Sequence, residues 1–454
     1  MHEEKQQQGD IYNAPLEKVF DRIITPFEEF IHNQAASGLL LMATTLLALI
    51  LANSFLAELY QHILHIPLSV SIAGWTLEKT VHHWINDGLM SLFFFVVGLE
   101  IKREVLVGEL SDPKQAMLPI FAALGGMVVP ALVYSAFNHS GPGISGWGIP
   151  MATDIAFAVG ALVMLGKRVP PALLAFLVAL AIVDDLGGIL VIAVFYTEDI
   201  GIDILMVAFV LLGLLVLLNR FGVRNPIPYF LIGGLLWLAV LKSGIHATLA
   251  GVLTAFTIPA RPKYDPQSFS THVRDLMTSF ERHHKPGASI MTNEGQRAVL
   301  QTLENAVHMV TTPLQRLEHI MHLPVALLII PVFALVNAGI PVELSSLGTT
   351  LGHPVTLGIM GGLVIGKLIG IAGFSWLAIK LGLARLPGDV RFTQIVGVSL
   401  LGGIGFTMSI FIAELAFNEQ AQLLLQAKTG ILFASLVAGI LGLIWLYRAA
   451  TPRQ

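Results

Sequence analysis

Apolar runs long enough to cross a membrane recur along this chain from residue 37 to residue 447. A helix of about 20 apolar residues spans the hydrocarbon core of a bilayer. Only 12% of the residues are charged, about half the share found in ordinary soluble domains. The chain is therefore expected to fold as an all-α polytopic membrane protein rather than as a soluble domain.

Twelve such runs are predicted to be transmembrane spans, and the distribution of positive charge favours an even number. The spans cover residues 37–57, 84–101, 115–137, 149–166, 171–195, 202–219, 226–241, 244–260, 323–341, 355–379, 393–416 and 423–447. All but four of the 26 Lys and Arg residues fall on alternate connections and on the two termini. The positive-inside rule assigns these segments, and therefore both termini, to the cytoplasm.

The segments outside the spans complete the predicted organisation. Residues 1–36 hold no removable signal peptide and are expected to form a cytoplasmic segment with an interfacial helix at 15–31. Residues 58–80 give a weak signal for a periplasmic hairpin between spans 1 and 2. Residues 261–322 form a cytoplasmic insertion, with one amphipathic helix near 269–280 and a second running from about Asn293 into the next span. Spans 9–12 follow at 323–447, before a cytoplasmic tail at 448–454.

Two adjacent carboxylates, Asp184 and Asp185, lie at the centre of the fifth span. An ionisable group at that depth costs roughly 2.5–3.5 kcal/mol on insertion scales, so an idle pair is unfavourable. Neighbouring residues of a helix point about 100° apart, so the two side chains should line neighbouring walls of one cavity. Mutual repulsion and desolvation favour the protonated form of at least one, and charged oxygens suit a small hard cation. The pair is therefore a candidate cation and proton site, with a satisfied structural pair as the alternative.

The fourth and eleventh spans read as discontinuous helices. Thr153 and Asp154 interrupt the fourth with polar groups, and three glycines between Gly402 and Gly405 weaken the eleventh. Broken backbone at membrane depth is tolerated only where protein or a cavity surrounds it. Asp154 is expected either to neutralise the positive ends of half-helices or to join the cation site. The placement of the two spans is compatible with inverted repeats, made of spans three to five and ten to twelve.

Lys367 lies in the middle of the tenth span and needs an acidic partner there. Only Asp154, Asp184 and Asp185 lie at a similar depth. A salt bridge that breaks when a cation arrives is the functional interpretation, and a permanent structural bridge is the alternative.

Ionisable residues also gather at the cytoplasmic ends of the second and ninth spans. They are Glu100, Arg103 and Glu104 on one span and Glu318, His319 and His322 on the other. Histidine changes charge near neutral pH, so this rim is a candidate sensor of cytoplasmic pH, with ordinary solvated charge as the alternative. His246, at the external start of the eighth span, is either a satisfied polar residue or a further sensor.

Several motifs, in order along the chain, resemble those of the NhaA sodium/proton antiporters. They are Trp84-Ile85-Asn86-Asp87, Gly98-Leu99-Glu100, Ala152-Thr153-Asp154-Ile155-Ala156-Phe157, Asp184-Asp185-Leu186-Gly187, His246-Ala247-Thr248-Leu249-Ala250-Gly251, Asn337-Ala338-Gly339 and Gly402-Gly403-Ile404-Gly405-Phe406-Thr407-Met408-Ser409. The resemblance covers about residues 26–260 and 317–447, whereas the 261–316 insertion departs from the usual pattern.

This resemblance implies an electrogenic exchanger in a bacterial inner membrane, carrying Na+ or Li+ out and H+ in. It assigns cation and proton binding to Asp184 and Asp185, and salt bridging or proton carriage to Lys367. Thr153 and Asp154 fall at the crossing of the broken helices. It also implies activation at alkaline pH through the charged cytoplasmic mouth, and a homodimer joined through the 58–80 hairpin. The expected partners are these ions and membrane lipid, without a cofactor or nucleic acid.

Other functional classes fit the sequence less well. A membrane aspartyl protease needs its two aspartates on separate helices within Tyr-Asp and Gly-x-Gly-Asp motifs, and neither motif is present. No His-Glu-x-x-His motif suggests a zinc protease, and the lack of cysteine excludes thiolate metal sites and thiol chemistry. A passive cation channel would not need titrating carboxylates beside a buried lysine. The sequence therefore favours a secondary active transporter, not an enzyme.

Overall fold

The computed structural model describes residues 34–72, 75–197, 201–262, 266–284, 289–341 and 347–449, and most of these residues are helical. The predicted interfacial helix at 15–31 lies outside the described residues, as does most of the C-terminal tail.

Among the described residues, the first part of the chain contains ten α-helices and a two-stranded hairpin. In order they are α1 Gln34–Ala52, α2 Ala57–His65, β1 Pro67–Ile72, β2 Trp75–Thr80, α3 Val81–His83, a π-helical turn Trp84–Leu89, α4 Met90–Val107, a 3₁₀ turn Glu109–Ser111, α5 Pro113–Phe137, a 3₁₀ segment Pro142–Met151, α6 Ile155–Val163, a 3₁₀ turn Gly166–Arg168, α7 Pro171–Phe195, α8 Ile202–Arg220, α9 Pro226–Lys242 and α10 Thr248–Thr257.

The second part contains the insertion and the last group of apolar helices. In order they are α11 Pro266–Arg282, α12 Glu294–Val310, α13 Pro313–Pro324, a π-helical segment Val325–Ile329, α14 Ile330–Asn337, α15 Leu347–Leu351, α16 Pro354–Gly361, a π-helical segment Gly362–Gly366, α17 Lys367–Lys380, α18 Phe392–Leu401, α19 Phe406–Ala416 and α20 Ala421–Ala449.

Within the described residues, seven helical stretches are long and apolar enough to cross a membrane, and two bent helix pairs raise the total to nine. One bent pair is α18 with α19, which meet at an angle of 47°. The apolar helices α9 and α10 are shorter than this length, and α4 carries four charged residues near its end. The chain is therefore a polytopic helical protein, whereas the count of twelve spans stays a prediction.

The segment predicted as a periplasmic hairpin is part helix and part hairpin. Strands β1 and β2 pair antiparallel, with Pro67 opposite Thr80. The hairpin is shorter than the predicted 58–80, because residues 57–65 form α2. This helix is anchored by the Tyr60 hydroxyl, which donates a hydrogen bond of 2.6 Å to the carbonyl of Leu335 at the end of α14.

The insertion contains two helices, α11 and α12, as its amphipathic pattern predicts. The prediction that the second helix continues into the next span is wrong, since α12 ends at Val310. Thr312 then caps α13 by accepting a hydrogen bond from the backbone N–H of Gln315, and Pro313 occupies the first helical position. Proline removes a backbone donor, so it begins a helix far better than it continues one.

Helices α5 and α17 pack backbone against backbone. A Cβ atom added to Gly125 would lie 2.1 Å from the carbonyl oxygen of Gly370, so only glycine allows this approach. The contact lies one turn from Lys367, whose side chain is fully buried between these helices and α7. The position of the buried lysine is therefore set by backbone packing.

Candidate ion-binding site

Two irregular backbone segments cross at the centre of the molecule. Residues 152–154 are extended between a 3₁₀ turn and α6, and residues 402–405 separate α18 from α19. The N–H of Asp154 donates to the carbonyl of Ile404 at 2.7 Å, and the Thr153 hydroxyl lies 2.9 Å from the carbonyl oxygen of Gly402. The two segments therefore satisfy each other's backbone groups where neither is helical.

Asp154 joins the beginnings of two short helices at this crossing. Its Oδ1 accepts a hydrogen bond of 3.0 Å from the N–H of Phe157 in α6. Its Oδ2 accepts from the N–H and the hydroxyl of Thr407 in α19, at 3.0 and 2.5 Å. Since helix N-termini carry partial positive charge, one carboxylate faces two positive helix ends. This geometry fits the charge-compensating interpretation of Asp154.

Lys367 pairs with Asp184, which is one of the three aspartates predicted to lie at the same depth as the lysine. Its Nζ contacts Asp184 Oδ2, and both side chains are 0% exposed. Nζ also donates to the Thr153 hydroxyl at 2.9 Å, and that hydroxyl lies 2.7 Å from Asp184 Oδ2. The ion pair is thus bound to the crossing through a single threonine.

Asp185 has the opposite environment. Its side chain is buried, yet neither carboxylate oxygen has a hydrogen-bond partner among the described residues. It lines a cavity of about 260 Å³ that also touches Asp154 and Thr407. Asp184 does not line this cavity, because its carboxylate faces Lys367. The two aspartates therefore differ: one is paired, and the other is accessible through the cavity.

At its charged end, here called the mouth, the cavity is lined by Glu100, Arg103, Glu318 and His322. Arg103 bridges two helices, with Nε donating to Glu318 at 2.8 Å and Nη1 lying 2.7 Å from Glu104. These side chains are among the residues predicted for the pH-responsive rim. The structure therefore brings the rim and Asp185 to the two ends of one passage.

Comparisons with known proteins agree with this architecture. A family model described as Na+/H+ antiporter 1 matches residues 28–446. The chain belongs to the NhaA family. It is 54% identical to Na+/H+ antiporter NhaA 1 of Saccharophagus degradans over 95% of this chain and 93% of the relative. It is also 54% identical to Na+/H+ antiporter NhaA of Sulfurimonas denitrificans, over 95% and 97%. As a member of the NhaA family, the chain is a multi-pass membrane transporter of Na+ and H+.

Two of the residues proposed for the pH response of this NhaA-family protein lie away from the passage. His319 is exposed and does not line the cavity. The ring of His246 contacts the carbonyl of Tyr196, at the end of α7. Tyr196 lies eleven residues beyond Asp185, about 16 Å along a helix, in the direction away from the mouth. His246 is therefore at the far end of the molecule from Glu318 and His322.

Thr407 is the main site residue that sequence reasoning missed in this NhaA-family chain. Its N–H and hydroxyl both bind Asp154, although it was quoted only as part of a motif. A usable signal was present, because Thr407 follows the glycine-broken segment and lies in the first turn of α19. The first turn of a half-helix leaves backbone donors free, and a hydroxyl there adds another.

Proposed function

We propose that the protein is an electrogenic antiporter that extrudes Na+ or Li+ in exchange for entering H+, and that cytoplasmic pH regulates it. The observation that carries the proposal is Asp185, a buried carboxylate with no hydrogen-bond partner among the described residues, at the end of an accessible cavity. A carboxylate without a partner is costly unless it binds a proton or a cation. Asp185 is therefore the group at which the two ions compete.

Asp184 supplies the second carboxylate of the proposed Na+ site. Its Oδ1 has no hydrogen-bond partner among the described residues, while its Oδ2 contacts Lys367. Sodium prefers oxygen ligands, and two carboxylates with the Thr153 hydroxyl provide them. When Na+ binds to Asp184, the ammonium group of Lys367 loses its counter-charge. Because both side chains are 0% exposed, Lys367 then releases its proton.

Charge balance then makes the cycle electrogenic. In the proton-loaded state Asp185 is neutral, and Lys367 cancels the charge of Asp184. In the sodium-loaded state two carboxylates face one Na+ and a neutral lysine. Two protons are therefore exchanged for one Na+, so that each cycle moves one net positive charge inward.

The proposed topology places this site at mid-membrane. Twelve spans with both termini in the cytoplasm satisfy the positive charge bias, and spans 4 and 11 supply the crossing segments. Inverted repeats of spans three to five and ten to twelve would bring the two broken helices together. The membrane is the bacterial inner membrane, and two copies associate through the external 58–80 segment, whose strands β1 and β2 end in an exposed hairpin.

Regulation is assigned to the cavity mouth. Protonation of His322, or of Glu100 and Glu318 around Arg103, changes the charge that a cation meets as it enters. An acidic cytoplasm adds positive charge at the mouth, and this charge opposes the entry of Na+ into the cavity. Alkaline cytoplasm restores the acidic mouth, so that activity rises with pH.

The direct test is a Na+ pulse applied to proteoliposomes that hold a pH-sensitive dye. Purified protein should move protons against added Na+ or Li+. Asp185→Asn should abolish this signal, whereas Asp203→Asn, an exposed aspartate in the first turn of α8, should leave it unchanged. Proton movement that persists undiminished in Asp185→Asn would contradict the assignment of the site.

A further inference from the structure

A second cluster of charged residues lies on the side of the molecule opposite the cavity mouth. Glu414 at the end of α19 lies 2.5 Å from Lys428 Nζ of α20 and 3.6 Å from His82 Nε2 of α3. The same ring nitrogen of His82 lies 3.1 Å from Asn337 Oδ1 at the end of α14. The side chains of Glu414, Lys428 and His82 are 12%, 13% and 23% exposed. Water therefore reaches only the edge of the cluster.

Helices α14 and α19 connect this cluster to the cavity in the same order. On α14, Ile330 lines the cavity and Asn337 joins the cluster, with Phe333 between them. On α19, Met408 lines the cavity and Glu414 joins the cluster. Phe411 lies between Met408 and Glu414, so on each helix an aromatic ring separates a cavity residue from a polar residue near the helix end.

Helix α4 and its π-helical start repeat this order. Val97 lines the cavity, and Asn86 bonds to Asn337 beside His82. Phe94 lies between them, with its ring centroid 5.5 Å from that of Phe411. The ring of Phe333 lies 6.3 Å from Phe411 on the other side. Three packed aromatic rings, tilted or edge-on to one another, therefore lie between the cavity and the charged cluster.

The cavity and the cluster lie between the same two groups of helices. One wall of the cavity comes from α4, α13 and α14, and the other comes from α6, α7 and α19. At the cluster, His82 and Asn337 continue the first wall and Glu414 continues the second. The passage is thus open at one end and closed at the other by contacts between these two walls. Exchange requires the closed end to open in turn, which breaks the contact between His82 and Glu414.

We propose that His82 and Glu414 form an external latch, closed when His82 is protonated and released when it is neutral, through which external pH controls access to the ion site. The inference rests on the proposed exchange function. It adds two residues to the exchange reaction that act by gating the passage rather than by binding the ion.

The charges around His82 make it the member of the cluster that switches. Glu414 keeps a second cationic partner, Lys428 at 2.5 Å, when His82 loses its proton. The other ionisable neighbours are His83, with ring centroids 5.8 Å apart, and the ion pair of Lys79 with Asp87 at 3.7 Å. The ring of His83 contacts the Thr80 hydroxyl, with Nδ1 at 2.7 Å from Oγ1. Acidic external medium therefore adds charge to a contact across the two walls, and alkaline medium removes it.

The test measures access directly, in a chain that has no cysteine of its own. Ala334→Cys places a reporter one turn beyond Ile330, at a position that is 1% exposed. Right-side-out vesicles are treated with a membrane-impermeant methanethiosulfonate, and labelling rates are compared at external pH of about 6 and about 8. Each rate is divided by that of the reporter chain at the same pH, which removes the pH dependence of the reagent.

Adding His82→Gln should speed labelling about two- to fivefold at the acidic pH, the range for loss of one partly exposed ion pair, and leave it unchanged at the alkaline pH. His83→Gln, the matched control, should label like the parent at both. Glu414→Gln combined with Lys428→Gln removes the acid without stranding the lysine and should reproduce the effect of His82→Gln.

A His82→Gln labelling rate equal to that of the parent at acidic pH, or raised equally at both pH values, would overturn the latch. Labelling needs no transport, so a latch without Na+/H+ exchange would refute only the proposed function.

Discussion

The ion site and the cavity mouth contain similar pairs of charges in different surroundings. Lys367 and Asp184 are both 0% exposed, whereas Arg103 and Glu318 are 33% and 17% exposed. Removing one partner of a buried pair strands the other and costs about 3–5 kcal/mol. A pair in contact with water contributes only about 0–1 kcal/mol. The inner charges therefore contribute far more to the stability of the fold than the outer charges do, so the outer charges can change with little effect on it.

The largest effects are expected inside the site, and they separate its two aspartates. Asp184→Asn and Asp185→Asn should each abolish Na+/H+ exchange, since an amide carries no proton, while both variants still insert and fold. Only Asp184→Asn should lose thermal stability, because it leaves Lys367 without its counter-charge. Exchange assays and melting temperatures of both purified variants test this. Equal melting temperatures would mean that the pairing in the structure does not set stability.

Lys367→Ala should lose both exchange activity and about 3–5 kcal/mol of unfolding free energy, because Asp184 then keeps a buried charge alone. Lys380→Ala offers a control at the other end of α17, where the ammonium group lies over the ring of Trp376 and is exposed. That substitution should change stability by less than about 1 kcal/mol. Denaturant titration in detergent gives both values. Inactive Lys367→Ala with parental stability would leave a role in proton carriage without a structural bridge.

Voltage should act on the inner site alone, since the net charge moved per cycle arises there. An interior-negative potential supplies about 2.3 kcal/mol per charge per 100 mV, enough for an about 50-fold larger Na+ gradient. Sodium efflux from proteoliposomes clamped with potassium and valinomycin should rise accordingly. Flux that ignores the potential at fixed ion gradients would rule out the exchange of two protons for one Na+ and leave antiport standing.

The smallest effects are expected at the mouth. Glu318→Gln and His322→Gln should shift the pH profile of exchange without lowering its maximum, and should change the unfolding free energy by less than about 1 kcal/mol. His319→Gln is the matched control, because His319 does not line the cavity. A profile that stays in place for Glu318→Gln and His322→Gln would make the rim ordinary solvated charge.

Sequence reasoning gave the depth of the site residues but not their pairing. The position of Lys367 in its span was enough to restrict its partner to three aspartates, because depth follows from counting residues along a helix. The choice of Asp184 over Asp185 depends on how α7 is rotated about its axis, and that rotation is set by packing against α5 and α17. The end of α12 is a different case, since Thr312 and Pro313 already signalled a new helix. Similarly, Glu414 and Lys428 were visible in the sequence, but only the fold brings His82 to them.

The pairing of Asp184 with Lys367 also constrains how the protein is made. The two residues are 183 positions apart in the chain. At the usual speed of synthesis, roughly 10–40 s pass between the appearance of the aspartate and that of its lysine. During that interval the nascent fifth span has to enter the lipid without a counter-ion, which is far less costly for a carboxylic acid than for a carboxylate. Asp184 therefore enters the membrane with a proton, which it loses when α17 arrives and Lys367 supplies the counter-charge.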